Sequence, residues 1–103
     1  MVRRGEVWWY EEPDAKARPY LVLTRDEAIP VLNEVLAVPA SRIVRGIRTE
    51  VPLARRDGMP RACCLGLDNL QLIPIRLCTR RITTLSDARM REVCVALSAA
   101  TGC

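Results

Sequence analysis

The chain has 103 residues, with 16 basic and 12 acidic side chains and no histidine. Its length predicts a single domain over residues 1–103, with a thin core built mainly from Val, Leu, Ile and Ala because phenylalanine is absent. The composition excludes every catalytic unit that depends on an imidazole, and no apolar run reaches the ~18 residues that a membrane span needs.

Seven segments have the composition of β-strands. Their β-branched, aromatic and other apolar residues predict strands at 5–11, 18–25, 34–41, 49–53, 61–67, 70–74 and 77–82. The polar loop 12–17 predicts that the first two strands form an antiparallel pair. Pro39 indicates that the third strand lies at an edge or contains a bulge. In the fifth strand, alternation predicts that either Cys63 or Cys64 faces inward.

The end of the chain has the pattern of a helix. Ser86 is a favourable N-cap, and Gly102 stands where a C-cap is expected. Apolar residues follow the 3.6-residue spacing of one helical face, namely Met90, Val93, Cys94, Leu97 and Ala100. The sequence therefore predicts a mainly β protein in which one amphipathic helix covers a small, strongly bent antiparallel sheet.

The positive charges are concentrated in one segment. Residues 42–61 carry six positive and two negative charges, whereas residues 1–41 carry five and seven. Fifteen of the sixteen basic residues are arginine, whose planar guanidinium suits phosphate. This pattern favours a polyanionic partner, with a solvated surface as the alternative.

The cysteines do not form a metal-binding or disulfide pattern. There are five of them, no two are spaced as C-x-x-C, and no secretory leader pattern is present, so we expect reduced thiols in a cytoplasmic protein. We interpret them as small core residues, except for an exposed Cys103. No phosphate-binding glycine motif and no carboxylate cluster occurs, so we expect neither a cofactor nor a metal.

Arg18 is the first candidate functional residue. It stands at the start of a predicted strand, next to Pro19, where a rigid scaffold holds a guanidinium that can still face solvent. The alternative is a surface ion pair with Glu11 or Glu12. Arginine, hydroxyl and amide groups suit RNA cleavage by the substrate's own 2′-hydroxyl, because the protein then needs only to hold the phosphate and stabilise the transition state. A guanidinium hardly deprotonates, so its expected role is to clamp the phosphate.

Four segments together resemble the MazF/PemK family of toxins. They are 3–8 (RRGEVW), 18–24 (RPYLVLT), 38–42 (VPASR) and 67–71 (LDNLQ). The resemblance implies an SH3-like β-barrel of the CcdB/PemK type and a homodimeric, metal-independent, sequence-specific endoribonuclease. It also implies cleavage of single-stranded RNA to 2′,3′-cyclic phosphate and 5′-hydroxyl ends, and a cognate antitoxin whose C-terminal segment occupies the RNA groove.

The resemblance also implies roles for individual residues. Arg18 and Ser41 match the family's catalytic positions, and Pro19 belongs to the same motif as Arg18. Ser41 stands where the family usually has threonine, and the lost methyl group predicts a lower rate because the hydroxyl is less firmly oriented. Asp68 and Asn69 match positions that read bases, although such a pair can also simply turn the chain.

Other predictions rest on position in the sequence. Four arginines flank Arg18 and Ser41 and predict phosphate contacts, with ordinary solvated charge as the alternative: Arg25, Arg42, Arg45 and Arg48. Trp8 and Trp9 alternate on one strand, so one of them is available to stack on a base, contact an antitoxin or pack in a dimer. Two rival functions stay open: a non-catalytic module that binds nucleic acid or antitoxin, and a gyrase poison like CcdB.

Overall fold

The structure, a computed structural model, describes all 103 residues. It contains the predicted seven strands and one helix: β1 Glu6–Tyr10, β2 Arg18–Val22, β3 Glu34–Ser41, β4 Glu50–Leu53, β5 Cys63–Gly66, β6 Gln71–Pro74, β7 Cys78–Thr84 and α1 Asp87–Thr101. Short 3₁₀ turns lie at Ile29–Val31, Arg55–Asp57, Leu67–Asn69 and Ile75–Leu77. No helix combines the length and the apolar character needed to cross a membrane.

The strands form one antiparallel sheet in the order β4-β5-β3-β2-β1-β7, with β6 also paired to β3. The predicted class, mainly β with one C-terminal helix, is confirmed, and the pairing of β1 with β2 is antiparallel as predicted. The path from β4 to β7 does not close on itself. The sheet therefore bends around its core as a barrel that stays open between its outer strands.

Pro39 was predicted to mark an edge or a bulge, and the structure excludes the edge. β3 lies in the middle of the sheet, where residues 34–37 pair with β6 and residues 40–41 pair with β5. Pro39 falls in the interval between these two partners, so its missing N–H leaves neither ladder incomplete. The proline is tolerated because the strand changes partner there.

Two apolar clusters lie on opposite faces of the sheet. Leu21 belongs to the cluster under α1, and its neighbours Tyr20 and Val22 belong to the other, as the alternation of a strand requires. Tyr10 and Tyr20 meet edge to face in the second cluster, with ring centroids 5.0 Å apart. Both faces of β2 are thus buried, which fixes the register of the strand that begins at Arg18.

The helix has the predicted caps, but its inward face differs from the prediction. The Ser86 hydroxyl accepts a hydrogen bond of 3.1 Å from the Arg89 N–H, and Gly102 adopts φ +75° at the C-terminus. Val93 is buried as predicted, together with Ala96. Cys94, predicted to face the core, is exposed and contacts the Arg4 guanidinium. A 3.6-residue pattern defines the edges of the buried face only to within one position. The packing of α1 against Leu67–Asn69 determines which residue at that edge is buried.

Cys63 and Cys64 point to opposite faces of β5, as the alternation predicts, and both are buried. Cys63 lies in the cluster under α1. The Cys64 thiol lies on the other face, 3.3 Å from the Ile43 carbonyl oxygen, because the chain after β3 folds over that side. Burial raises the pKa of the Cys64 thiol to about 11, with the nearby Glu50 carboxylate adding to the effect.

Candidate active site

A pocket of about 520 Å³ opens where β2 begins and β3 ends. We call it the Arg18 pocket. It is lined by Arg18 and Pro19 from β2, by Ala40 and Ser41 from β3, by one residue each of β1 and β5, and by residues of three connecting segments. The polar and aromatic residues that line it are Trp9, Lys16, Arg18, Ser41, Arg42 and Arg61. Three of the predicted RNA-site residues and a predicted flanking arginine therefore share one cavity: Arg18, Pro19, Ser41 and Arg42.

Strand pairing explains why Arg18 and Ser41 lie together. β2 and β3 are antiparallel, with Tyr20 opposite Pro39. Extending this register by two residues along both strands brings Arg18 opposite Ser41, and the period of two places both side chains on one face. The relative position of the two residues is thus set by the backbone of two buried strands.

Ser41 is half-buried, and its hydroxyl already has one partner. Its Oγ accepts a hydrogen bond of 3.1 Å from the Ile43 N–H, which closes a local turn. A hydroxyl can accept and donate at the same time, so the Ser41 O–H hydrogen remains available to a ligand. The backbone contact also restrains the rotamer of a side chain that lacks the methyl group of threonine.

The Arg18 pocket is strongly cationic. Four basic side chains line it, namely Lys16, Arg18, Arg42 and Arg61, and no aspartate or glutamate does. None of the four forms an ion pair, so the predicted alternative of a pair between Arg18 and Glu11 or Glu12 is not formed. Uncompensated cations around a concave surface attract a polyanion and focus its approach.

The loop that follows Ser41 is anchored by a buried carboxylate. Glu50 accepts hydrogen bonds of 2.9 Å from the N–H groups of Arg45 and Gly46. Burial tends to raise the pKa of Glu50, but the donors from Arg45, Gly46 and Ile47 outweigh it and hold the pKa below its ordinary range. The carboxylate is therefore charged at neutral pH and ties the basic loop 42–48 to β4.

Five predicted RNA-binding residues lie outside the Arg18 pocket: Arg25, Arg45, Arg48, Asp68 and Asn69. Arg25 follows the far end of β2 and pairs with Glu27 at 3.9 Å, and Arg45 pairs with Glu50 at 3.8 Å. Arg48 lines a second groove beside α1. Asp68 accepts a hydrogen bond of 2.6 Å from the Thr49 hydroxyl in the turn Leu67–Asn69. Their contacts with RNA stay predictions.

The two tryptophans have different surroundings. Trp8 packs against the apolar cluster that contains Tyr10 and Tyr20, and its indole N–H donates to the Glu6 carboxylate at 3.0 Å. Trp9 is half-buried opposite Pro19 in the pairing of β1 with β2 and lines the Arg18 pocket. Of the two rings, Trp9 is the one that a ligand in this pocket would meet.

Comparison with known proteins identifies the family. Residues 3–101 match the family described as "PemK-like, MazF-like toxin of type II toxin-antitoxin system". The chain belongs to the PemK/MazF toxin family. This confirms the resemblance noted in the sequence and the predicted class of function, a MazF-type endoribonuclease toxin.

Several relatives match this MazF-type toxin over almost its whole length. The probable endoribonuclease MazF5 of Mycobacterium tuberculosis is 40% identical over 101 residues, which cover 97% of this chain and 93% of that protein. The structure of Mycobacterium tuberculosis toxin MazF-mt6 has a TM-score of 0.86 at 31% identity, over 94% of this chain and 96% of that one. The fold is also shared by a mycobacterial endoribonuclease in complex with its cognate antitoxin, with a TM-score of 0.89 at 22% identity and coverage of 99% and 96%.

Two basic residues that line the pocket of this MazF-type toxin were not predicted as site residues from the sequence. Lys16 lies in the loop before β2, and Arg61 precedes β5. Lys16 is the only lysine of the chain and stands two residues before Arg18, a signal that was present in the sequence. Arg61 lies 20 residues beyond Ser41, and no local pattern indicates that it returns to the same cavity.

Proposed function

We propose that the Arg18 pocket cleaves single-stranded RNA by transesterification through the ribose 2′-hydroxyl. The observation that carries the proposal is the set of four unpaired cations around the Ser41 hydroxyl in one cavity without a carboxylate. Such a set binds a phosphodiester and favours the extra negative charge that develops in its transition state. The sequence preference that the family implies would then depend on how bases meet the walls of the pocket.

The chemistry requires little of the protein. The 2′-oxygen forms a bond to phosphorus as the bond to the 5′-oxygen breaks, which yields a 2′,3′-cyclic phosphate and a 5′-hydroxyl. Water takes the proton of the 2′-hydroxyl and returns a proton to the departing 5′-oxygen, so the cyclic product keeps the single negative charge of the original phosphodiester. Arg18 would grip two phosphate oxygens with its planar fork, and Ser41 would donate its free O–H to the same phosphate. The role of both is to hold the phosphate in line and stabilise the phosphorane.

Partners follow from the family and from the surface. A structure with the same fold is a complex with a cognate antitoxin, and we propose that an antitoxin segment with acidic residues covers the Arg18 pocket of this toxin. We also propose a homodimer, which would cover exposed apolar residues such as Val31, Leu36 and Leu72. Each protomer would be one domain of residues 1–103 acting in the cytoplasm on cellular RNA.

Mapping the products of a defined RNA tests the proposal. The purified protein is incubated with single-stranded RNA in EDTA, and the two new ends that each cut creates are identified. Site-limited cuts with cyclic phosphate ends that disappear in Arg18→Ala are expected, with a DNA oligonucleotide of the same sequence left intact because it lacks the 2′-hydroxyl. Binding without cuts would favour the non-catalytic module. Trapped gyrase–DNA complexes with intact RNA would favour the gyrase poison.

A further inference from the structure

One wall of the Arg18 pocket is formed by the segment between the turn Arg55–Asp57 and β5. Met59, Pro60 and Arg61 line the cavity there. Met59 is 3% exposed and belongs to the cluster under α1, so the wall is continuous with the core. Arg61 is exposed and forms no ion pair. Its guanidinium is therefore free to meet a phosphate.

The turn immediately before this wall is held by a two-point ion pair from the helix. The Arg89 Nε lies 2.9 Å from Asp57 Oδ1, and Arg89 Nη2 lies 3.3 Å from Asp57 Oδ2. The two side chains are only 14% and 10% exposed. A bidentate pair with this little solvent fixes direction as well as distance. Arg89 Nη1 in turn donates to Glu92 Oε1 at 3.0 Å and to Glu92 Oε2 at 3.1 Å.

Two further contacts fix the same turn. The Thr83 hydroxyl of β7 donates to the Asp57 carbonyl at 2.9 Å, and Asp57 Oδ2 accepts from the Ala54 N–H at 2.8 Å. Gly58 has φ +92°, and a Cβ at this position would overlap the Thr83 side chain. Contacts from α1 and β7 together therefore restrain the backbone at Asp57 and Gly58, just before the segment that carries Arg61.

We propose that Arg61 contacts the RNA phosphate backbone in the Arg18 pocket and that Arg89 is the positioning residue that places it. Arg89 does not line the pocket, so it acts through Asp57 and the turn. The inference rests on the proposed function, and it assigns to α1 a part in the RNA site that is distinct from covering the core.

A double-mutant cycle tests the inference. The kcat/KM for a defined single-stranded RNA is measured for the parent, Arg61→Ala, Arg89→Ala and the double variant, below the melting temperature of each. Loss of one charged contact predicts about a tenfold decrease for Arg61→Ala, and a similar one for Arg89→Ala. Because Arg89 acts through Arg61, the double variant should remain within about twofold of Arg61→Ala.

The opposite pattern would overturn the inference. A double variant whose loss equals the product of the two single losses would show that Arg89 acts independently of Arg61, and unchanged cleavage in Arg89→Ala would remove it from the site. If Arg89→Ala does not fold, Arg89→Lys keeps the charge without the fork and takes its place in the cycle. Arg81→Ala is the control, since it breaks the ion pair with Glu6 away from the pocket and should leave cleavage unchanged.

The same proteins separate this inference from the proposed function. Their affinity for an RNA with a 2′-deoxy nucleotide at the cut site is measured in parallel. If the parent binds this RNA but cuts no RNA, the proposed cleavage reaction is rejected. The double-mutant cycle can then still be evaluated from the Kd values of the four proteins. If the parent neither binds nor cuts, both fail. Cleavage by the parent with an additive cycle rejects only the role of Arg89.

Discussion

Arg18 begins β2 and Ser41 ends β3, and because the two strands are antiparallel both side chains line one pocket. Their positions are fixed by backbone pairing between strands that are buried on both faces. Substitution of either side chain therefore changes the chemistry of the pocket without removing a core contact. This makes the site accessible to clean mutational tests.

Arg18→Ala should abolish most cleavage. Removing a preorganised group that stabilises developing charge predicts a loss of at least ~100-fold in kcat. Arg18→Lys keeps the charge but not the bidentate geometry, so its rate should lie between those of the parent and Arg18→Ala. The measurement is single-turnover cleavage of a defined RNA, with circular dichroism as the control for folding. A rate for Arg18→Ala within about threefold of the parent, less than 1 kcal/mol in the barrier, would contradict the role.

Ser41→Ala should lower turnover at least ~10-fold, since one hydrogen bond to the transition state is lost. Ser41→Thr should equal or exceed the parent, because the added methyl restrains χ1 and orients the hydroxyl. Both variants are assayed on the same RNA under saturating conditions. Equal turnover of Ser41→Ala and the parent would exclude the hydroxyl from the site.

Trp9→Ala should weaken RNA binding, because an aromatic ring on the wall of the pocket is placed to stack on a base. Such stacking contributes about 1–3 kcal/mol, so Kd for an uncleavable RNA should rise by roughly 5- to 150-fold. Trp9→Phe should recover much of the affinity. Trp8→Phe is the matched control, since Trp8 packs against the cluster that contains Tyr10 and Tyr20, does not line the pocket and should leave Kd unchanged. Equal effects at the two positions would argue against stacking at Trp9.

Lys16→Ala should reduce the salt dependence of RNA binding. Loss of one phosphate contact lowers the slope of log Kobs against log[salt] by about 0.7 for a single strand. Kd is measured by fluorescence anisotropy from low to moderate salt. Arg76→Ala removes an exposed charge outside the pocket and serves as the control. Lys16 would not be a phosphate contact if its variant and the control gave the same slope as the parent.

Asp57→Asn should destabilise the protein at neutral pH and less so in acid. Hydrogen bonds from Arg89 hold the pKa of Asp57 below its ordinary value of 3.8, outweighing burial. The carboxylate therefore stabilises the folded state above that pH, and the contribution is lost as the pH falls through the lowered pKa. Urea unfolding should show a deficit of about 2 kcal/mol at pH 7, narrowing below pH ~4. A deficit independent of pH would contradict the ion pair.

Local patterns in the sequence were sufficient for the elements and for the first part of the site. Side-chain shape and alternation predict a strand from one position to the next, and Ser86 and Gly102 marked the ends of α1 because caps act within a single turn. Arg18 could be singled out because it stands beside a proline at the start of a strand, and the family motifs extended the argument to Ser41.

Long-range pairing determined the rest. The arrival of Arg61 in the pocket, the central place of β3 despite Pro39, and the exposure of Cys94 each depend on which segments meet far along the chain. Short-range sterics and hydrogen bonds specify local conformation. The bend of a sheet and the contacts of its loops depend instead on the apolar residues of all elements being buried together. The order of strands and helix could therefore be predicted from neighbouring residues, whereas the four cations and Ser41 come together in one pocket only in the folded protein.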